Sequence, residues 1–255
     1  MVLTALENSH NQFMEFDPTS QRPSADQLEP VMAGENRGPR FRIFGFPLHI
    51  EPWFLLTAWL IGGRQEPLWM IVWVLVVLVG VLAHELGHAF VGRRLGLDPW
   101  IRLFAFGGMT AWRRSRPLSS GQQILISAAG PAVGIAIGVS VLVAMRTGVF
   151  AGTSPAVVHV LEDILWVNLG WGVLNLLPIL PLDGGHIAAS IATIFMGAKG
   201  RIGARILSVV LTVAIGLWAL TAGEWWMLML GVFLTVSNVQ ALRTELAATR
   251  STHVG

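Results

Sequence analysis

Six stretches of the chain, at roughly 50–63, 67–95, 120–146, 157–197, 202–222 and 225–242, are apolar almost without a break. About 20 predominantly apolar residues are enough for a helix to cross a bilayer. Hydrocarbon offers no water to a backbone that does not hydrogen-bond within itself. The pattern therefore predicts an all-α polytopic membrane protein with about six transmembrane helices. Composition agrees, because charged residues make up only 13% of the chain where a soluble domain has about 25%. Eleven tryptophans and no tyrosine suit an aromatic belt at headgroup level.

The six segments are not equivalent. The first, from Pro52 to Gly63, is short enough to read as a tilted or partly re-entrant helix. The fourth is too long for one crossing and is interrupted by Pro178 and Pro181, so it reads as a helix, a break and a second helical piece. Basic residues test the count, since they collect on the cytoplasmic side. Six crossings leave only Arg64 and Arg146 of the 17 lysines and arginines on the opposite side. Both termini are then cytoplasmic, and the cell membrane is the expected location. Residues 1–46 are polar and lack the basic start and apolar core of a secretory signal. They read as a disordered cytoplasmic tail, with 47–242 as the transmembrane core and 243–255 as a short cytoplasmic C-terminal tail.

A net charge of +2, with the basic residues spread along the chain, argues against a nucleic-acid partner. Cysteine is absent, so no disulfide, thiolate ligand or cysteine nucleophile is possible. Any metal must be held by His, Asp, Glu or backbone oxygen. Gly130, Gly134 and Gly138, spaced by four in the third segment, read as a close helix-packing face. Pro131 is expected in the first turn of that helix or at a kink.

Near the end of the second segment stands His84-Glu85-Leu86-Gly87-His88. Residues four apart share a helix face, so His84 and His88 can present two nitrogens to one metal ion. Glu85 lies one step round, where it can reach a water on that ion; this is the H-E-x-x-H pattern of zinc peptidases. His84 precedes Arg93, the expected interface marker, by nine residues, or roughly 14 Å of helix. Ionisable groups at such depth rarely persist without a partner or a function. Catalytic zinc usually has three protein ligands and an open position. Candidates for the third are Glu51, Glu66, Asp98, Glu162, Asp163, Asp183, Glu224 and Glu245. Asp183 differs in lying at the proline break of the fourth segment, in Asn-Leu-Leu-Pro-Ile-Leu-Pro-Leu-Asp-Gly-Gly from Asn175 to Gly185. Broken backbone at membrane depth is tolerated where it is buried in protein or lines a cavity, which gives this aspartate a route to the metal.

The paired motifs, HELGH and N-x-x-P-x-x-P-x-D-G-G, resemble those of the site-2 protease family of intramembrane zinc metalloproteases, in the same order and at the same separation. The resemblance runs from about Phe41 to Val239. It implies one Zn2+ per chain on His84, His88 and Asp183, with Glu85 activating water. It also implies that Asn175, and Asn168 before it, lie near the substrate or the developing oxyanion. Ser127 to Pro131 resembles the family's helix-packing motif, and Phe106 to Thr110 its small membrane-associated β-hairpin, in which Gly107 and Gly108 would lie beside an extended substrate. Too few residues separate His88 from Asn175 for an inserted PDZ domain, and no CBS repeat is expected at the C-terminus. The expected partners are the lipid bilayer and a single-pass membrane protein or membrane peptide as substrate; the oligomeric state stays open. His49 and His186 read as neighbours of the site rather than ligands. The rival reading is a metal-binding membrane transporter using the same His and Asp ligands, and the other is a catalytically silent scaffold.

Overall fold

The computed structural model describes residues 41–63, 66–113 and 116–251, the side chains of 248–251 excepted. Residues 1–40, 64–65, 114–115 and 252–255 lie outside that range, Arg64 and Arg114 among them.

Five helices among the described residues are long and apolar enough to cross a membrane, and the chain is a multi-pass integral membrane protein. It opens with strands β1 (Phe41–Ile43) and β2 (Phe46–Ile50), followed by helices α1 (Pro52–Gly62) and α2 (Pro67–Arg94). Strands β3 (Pro99–Phe104) and β4 (Gly107–Trp112) come next, then α3 (Ser120–Arg146). Helix α4 (Pro155–Leu165) passes through a π-helical turn, Trp166–Gly170, into the short α5 (Trp171–Asn175). After an irregular stretch come α6 (Asp183–Met196), α7 (Ala198–Ala222) and α8 (Trp225–Ser251). The overlong fourth segment is thus a helix, a break and a second helix, and the last helix continues past Arg243, where the transmembrane core was expected to end.

The hairpin expected at Phe106 to Thr110 is present but belongs to a larger unit, a four-stranded sheet in the order β1-β2-β3-β4. Strands β1 and β2 meet through Phe44 and Gly45 at φ 49° and 84°, as the tight twist of a type I′ hairpin requires. Strands β2 and β3 are parallel, with Leu48 opposite Ile101 and Ile50 opposite Leu103; α1 and α2 form the long crossover that parallel pairing needs. Phe46, Leu48, Ile101 and Leu103 bury one face of the sheet against Val81 and Ala89 of α2. The alternation of buried and half-buried residues along β3 matches this one-sided burial. Three- and five-residue strands carry too little periodicity to be read from the sequence, so the expected tail of 1–46 takes in β1 and the first residue of β2, and no strand is expected at 47–50.

The first crossing is also shorter than a spanning helix. Eleven residues of α1 give about 17 Å, well under the ~30 Å hydrocarbon thickness. Five residues of β2 add about 17 Å of strand, so strand and helix in succession have the required reach. At their junction Glu51 and Arg102 form a half-buried ion pair between the end of β2 and β3, neutralising two charges that would be costly in the membrane. Helix α2 is tied to α1 by Trp73 Nε1, which donates to Ala58 O at 2.9 Å.

Pro131 sits in the interior of α3 rather than in its first turn. That helix starts at a capping box: the Ser119 hydroxyl accepts from the Gln122 N–H while the Gln122 side chain accepts from the Ser119 N–H.

Because Ile101 is fully buried between the sheet and α2, Ile101→Ala should destabilise the fold by about 2–5 kcal/mol. Thermal unfolding of the purified protein in detergent checks this, with Arg42→Ala on exposed β1 leaving the midpoint unchanged.

Candidate metal centre

Helix α2 places His84, Glu85 and His88 in its buried part, and Asp183 stands at the first position of α6. The fold brings the two imidazoles and this carboxylate together. His84 Nε2 lies 3.0 Å from Asp183 Oδ2, His88 Nε2 lies 3.3 Å from Asp183 Oδ1, and the two Nε2 atoms are 3.1 Å apart. Among the described residues, these three are the His, Cys, Asp or Glu group whose potential ligand atoms converge, all within 4.8 Å of one another. Glu51 is paired with Arg102 and Glu245 with Arg205.

The donor set fits a zinc ion. Ligand atoms about 2.0–2.1 Å from a tetrahedral ion stand about 3.3 Å from each other, close to the separations found. His88 Nδ1–H donates to Ile126 O at 2.7 Å. That bond leaves the Nε2 lone pair facing the other two donors and fixes the ring, as outer partners of metal-bound histidines do. Two imidazole nitrogens and a carboxylate oxygen thus converge on one point.

Small residues make this convergence possible. A Cβ added at Gly130 would lie 2.3 Å from His88 Nε2 and 2.7 Å from His84 Nε2. Gly130, expected only to bring helices close, therefore also makes room for the imidazole rings. Its neighbour Pro131 lacks an N–H for the Ser127 carbonyl, one residue from the Ile126 carbonyl that holds His88. Gly184 and Gly185 fold α6 back on the break, since a Cβ there would lie 2.0 Å from Leu176 O and 2.3 Å from Leu180 N respectively.

Glu85 is buried, and its carboxylate lies against β4. Thr110 Oγ1 donates to Glu85 Oε2 at 2.7 Å and lies 3.0 Å from Glu85 O. A Cβ at Gly108 would be 2.4 Å from Glu85 Oε1. Gly108 and Thr110, two residues apart on one strand, thus make one face that seats the carboxylate. Gly107 has φ 137°, a conformation that side chains rarely adopt. Thr110 was visible in the Phe106-to-Thr110 stretch, but nothing in that sequence said its hydroxyl would meet Glu85.

The two asparagines do not join the metal group. Asn168 is buried on the π-helical turn, where its Nδ2 donates to Ile164 O at 2.9 Å and its Oδ1 has no protein partner. It lines, together with His84 and Trp171, a cavity of about 10 Å³, near the lower limit for holding one water. Asn175 ends α5 half-buried. His49 sits in β2 opposite Arg102, and His186 lies three residues beyond Asp183 in α6.

The sequence model of Peptidase family M50 matches residues 151–221, which include the break and Asp183. The chain is 30% identical over 218 residues to sll0528 of Synechocystis sp., covering 75% of this chain and 56% of that protein. It is 29% identical over 156 residues to Zinc metalloprotease MJ0392 of Methanocaldococcus jannaschii, covering 59% of this chain and 44% of that protein. Among solved structures, the Site-2 Protease from Methanocaldococcus jannaschii superposes with a TM-score of 0.59 at 25% identity, covering 79% of this chain and 93% of that one. The chain belongs to the site-2 protease family. It spans about half the length of the curated relatives it matches. The site-2 protease fold accounts for the long apolar helices with a small sheet among them.

A methyl group on Gly130 would displace both imidazoles, so Gly130→Ala should lower zinc affinity by about tenfold or more. Elemental analysis of zinc per purified chain, against a chelator series, measures this.

Proposed function

We propose that the chain is an intramembrane zinc metalloprotease that hydrolyses a peptide bond in or near a transmembrane segment of a membrane protein. The observation that carries this reading is the juxtaposition of three converging donors, His84, His88 and Asp183, with a separate carboxylate, Glu85, seated by Thr110 against an edge strand. A metal carrier needs the first group but has no use for the second.

His84, His88 and Asp183 would hold one zinc ion per chain. Such an ion supplies Lewis acidity, acidifying a water and polarising the scissile carbonyl. Glu85 acts as general base. Its Oε2 is occupied by the Thr110 hydroxyl, which leaves Oε1, beside Gly108, to take the proton of the attacking water. The same oxygen then delivers that proton to the nitrogen of the leaving amine as the C–N bond breaks. Asn175 or Asn168 would donate to the carbonyl oxygen as negative charge develops there.

The substrate must present an extended peptide, because a helix hides its amides in its own hydrogen bonds. Strand β4 ends the sheet, and its outer edge at Gly107 and Gly108 offers main-chain groups for strand addition. Single-pass membrane proteins or membrane peptides with weakly helical segments are the substrates this favours. The distribution of basic residues supports cytoplasmic placement of both termini. On this reading the catalytic core, expected at 47–242, takes in the strands from Phe41 on as well, with cytoplasmic segments on either side.

Glu85→Gln should keep bound zinc and lower peptide-bond cleavage on the order of 10²- to 10⁴-fold. The check is to compare membrane peptides accumulating in cells that carry the intact and the substituted chain, alongside zinc content. Unchanged turnover in the presence of bound zinc would point instead to a metal-handling protein. Thr110→Val should weaken cleavage about tenfold while zinc content stays constant, since it removes a hydrogen bond that holds the base rather than a metal ligand.

A further inference from the structure

Helices α7 and α8 contribute none of the three converging donors, yet they grip the backbone that carries one. Leu180, three residues before Asp183, has both of its main-chain polar groups bonded by side chains of these helices. Its N–H donates to Ser208 Oγ at 2.9 Å, and its carbonyl accepts from Asn238 Nδ2. Both side chains are almost completely buried, and each is anchored to its own helix. Ser208 Oγ donates to Ala204 O at 2.8 Å, and Asn238 Nδ2 also donates to Leu234 O at 2.8 Å. One turn away, Thr235 Oγ1 donates to Thr212 Oγ1 at 2.9 Å, which ties the two helices to each other where the clamp originates.

We infer that Ser208 and Asn238 are positioning residues for the metal centre, setting where Asp183 stands by fixing the Leu180 peptide. This inference rests on the metal-site reading. The link between clamp and ligand is short and stiff. Leu182 N–H donates to Ile179 O at 2.8 Å, His186 N–H donates to Leu182 O at 3.1 Å, and Gly185 packs directly on the main chain of Ile179 and Leu180. A movement of Leu180 is therefore carried into the first turn of α6, where Asp183 is held to separations of 3.0 and 3.3 Å from the imidazoles. Ile179 and Leu180 are themselves buried, so no water can replace a lost bond without a change in packing. A residue that only satisfied buried polar groups would stabilise the fold without tuning the ion; this clamp tunes the ion as well.

The test uses the full chain in detergent micelles, stripped of metal and loaded with Co2+, whose visible absorption reports the geometry of its ligands. Asn238→Leu, similar in shape but unable to donate, should weaken Co2+ binding about tenfold, measured by chelator competition, and alter the Co2+ absorption bands. Ser208→Ala should act in the same direction and more weakly. Variants that fold and bind Co2+ with the affinity and spectrum of the intact chain overturn the inference, even where their unfolding midpoints fall. If Asn238→Leu does not fold, Ser208→Ala decides by the same two readouts. If neither folds, the clamp serves the fold as a whole and the inference fails. An intact chain that binds Co2+ no better than its His84→Ala variant would instead remove the metal centre itself, and the clamp with it.

Discussion

The structure depends on keeping an unwound backbone among membrane helices without leaving its polar groups unpaired. Between Asn175 and Asp183 the helix is open for seven residues, yet no amide hydrogen is left without a partner. Leu176, Leu177, Ile179 and Leu182 donate to nearby carbonyls, Leu180 donates to Ser208, and Pro178 and Pro181 have no N–H to satisfy. Each unsatisfied group in such surroundings costs several kcal/mol. The prolines thus do two things at once: they prevent the helix from continuing, and they reduce the number of donors that need partners. Asp183 is delivered to the histidines by this solution, since a continuous helix would bury its backbone and leave no free end aimed at α2.

A second constraint is space. The histidines, the glutamate and the aspartate come from elements that must approach closely, and glycine stands at each approach: Gly130 under the imidazoles, Gly108 against Glu85, Gly184 and Gly185 against the break. In a membrane, small residues are the usual means of bringing backbones together. Here the same substitution of hydrogen for side chain sets the position of polar groups. Packing and chemistry therefore share residues, and the glycine pattern of α3 cannot be assigned to one of them alone.

What could be read from the sequence followed from strong local signals. The apolar runs gave the number and order of the long helices, with boundaries that differ by several residues at α7 and α8. The spacing of His84 and His88 gave a shared helix face, and the prolines before Asp183 gave a break. What could not be read was tertiary. The strands β1 and β2 are too short to show a period, so the sheet behind the hairpin was invisible. The carbonyl of Ile126 carries no sequence signal at all. Thr110, Ser208 and Asn238 are ordinary polar residues until the fold shows what they face. Asn238 was the most accessible of these, because an amide within a long apolar segment calls for a partner.

The sheet raises a last question, since β4 ends it and lies against the C-terminal part of α2, at Glu85 and Gly92. An unpaired strand edge exposes a row of N–H and C=O groups, and lipid cannot satisfy them. The edge must therefore be covered by protein, or face water or an extended peptide. The proposed hydrolysis would need both of the latter, one to attack and the other to be cut, beside Glu85. Among the described residues, strands β1 and β2 complete only the opposite side of the sheet, and β4 has no strand partner on its outer edge. Phe106 at the tip of the hairpin stacks on Phe233 of α8 with ring centres 4.6 Å apart, so the open edge is fixed at both ends, by the sheet behind and by the last helix ahead. An unpaired edge that would be a defect elsewhere is, on the proposed function, where a membrane peptide would be drawn out of its helix and aligned with the base.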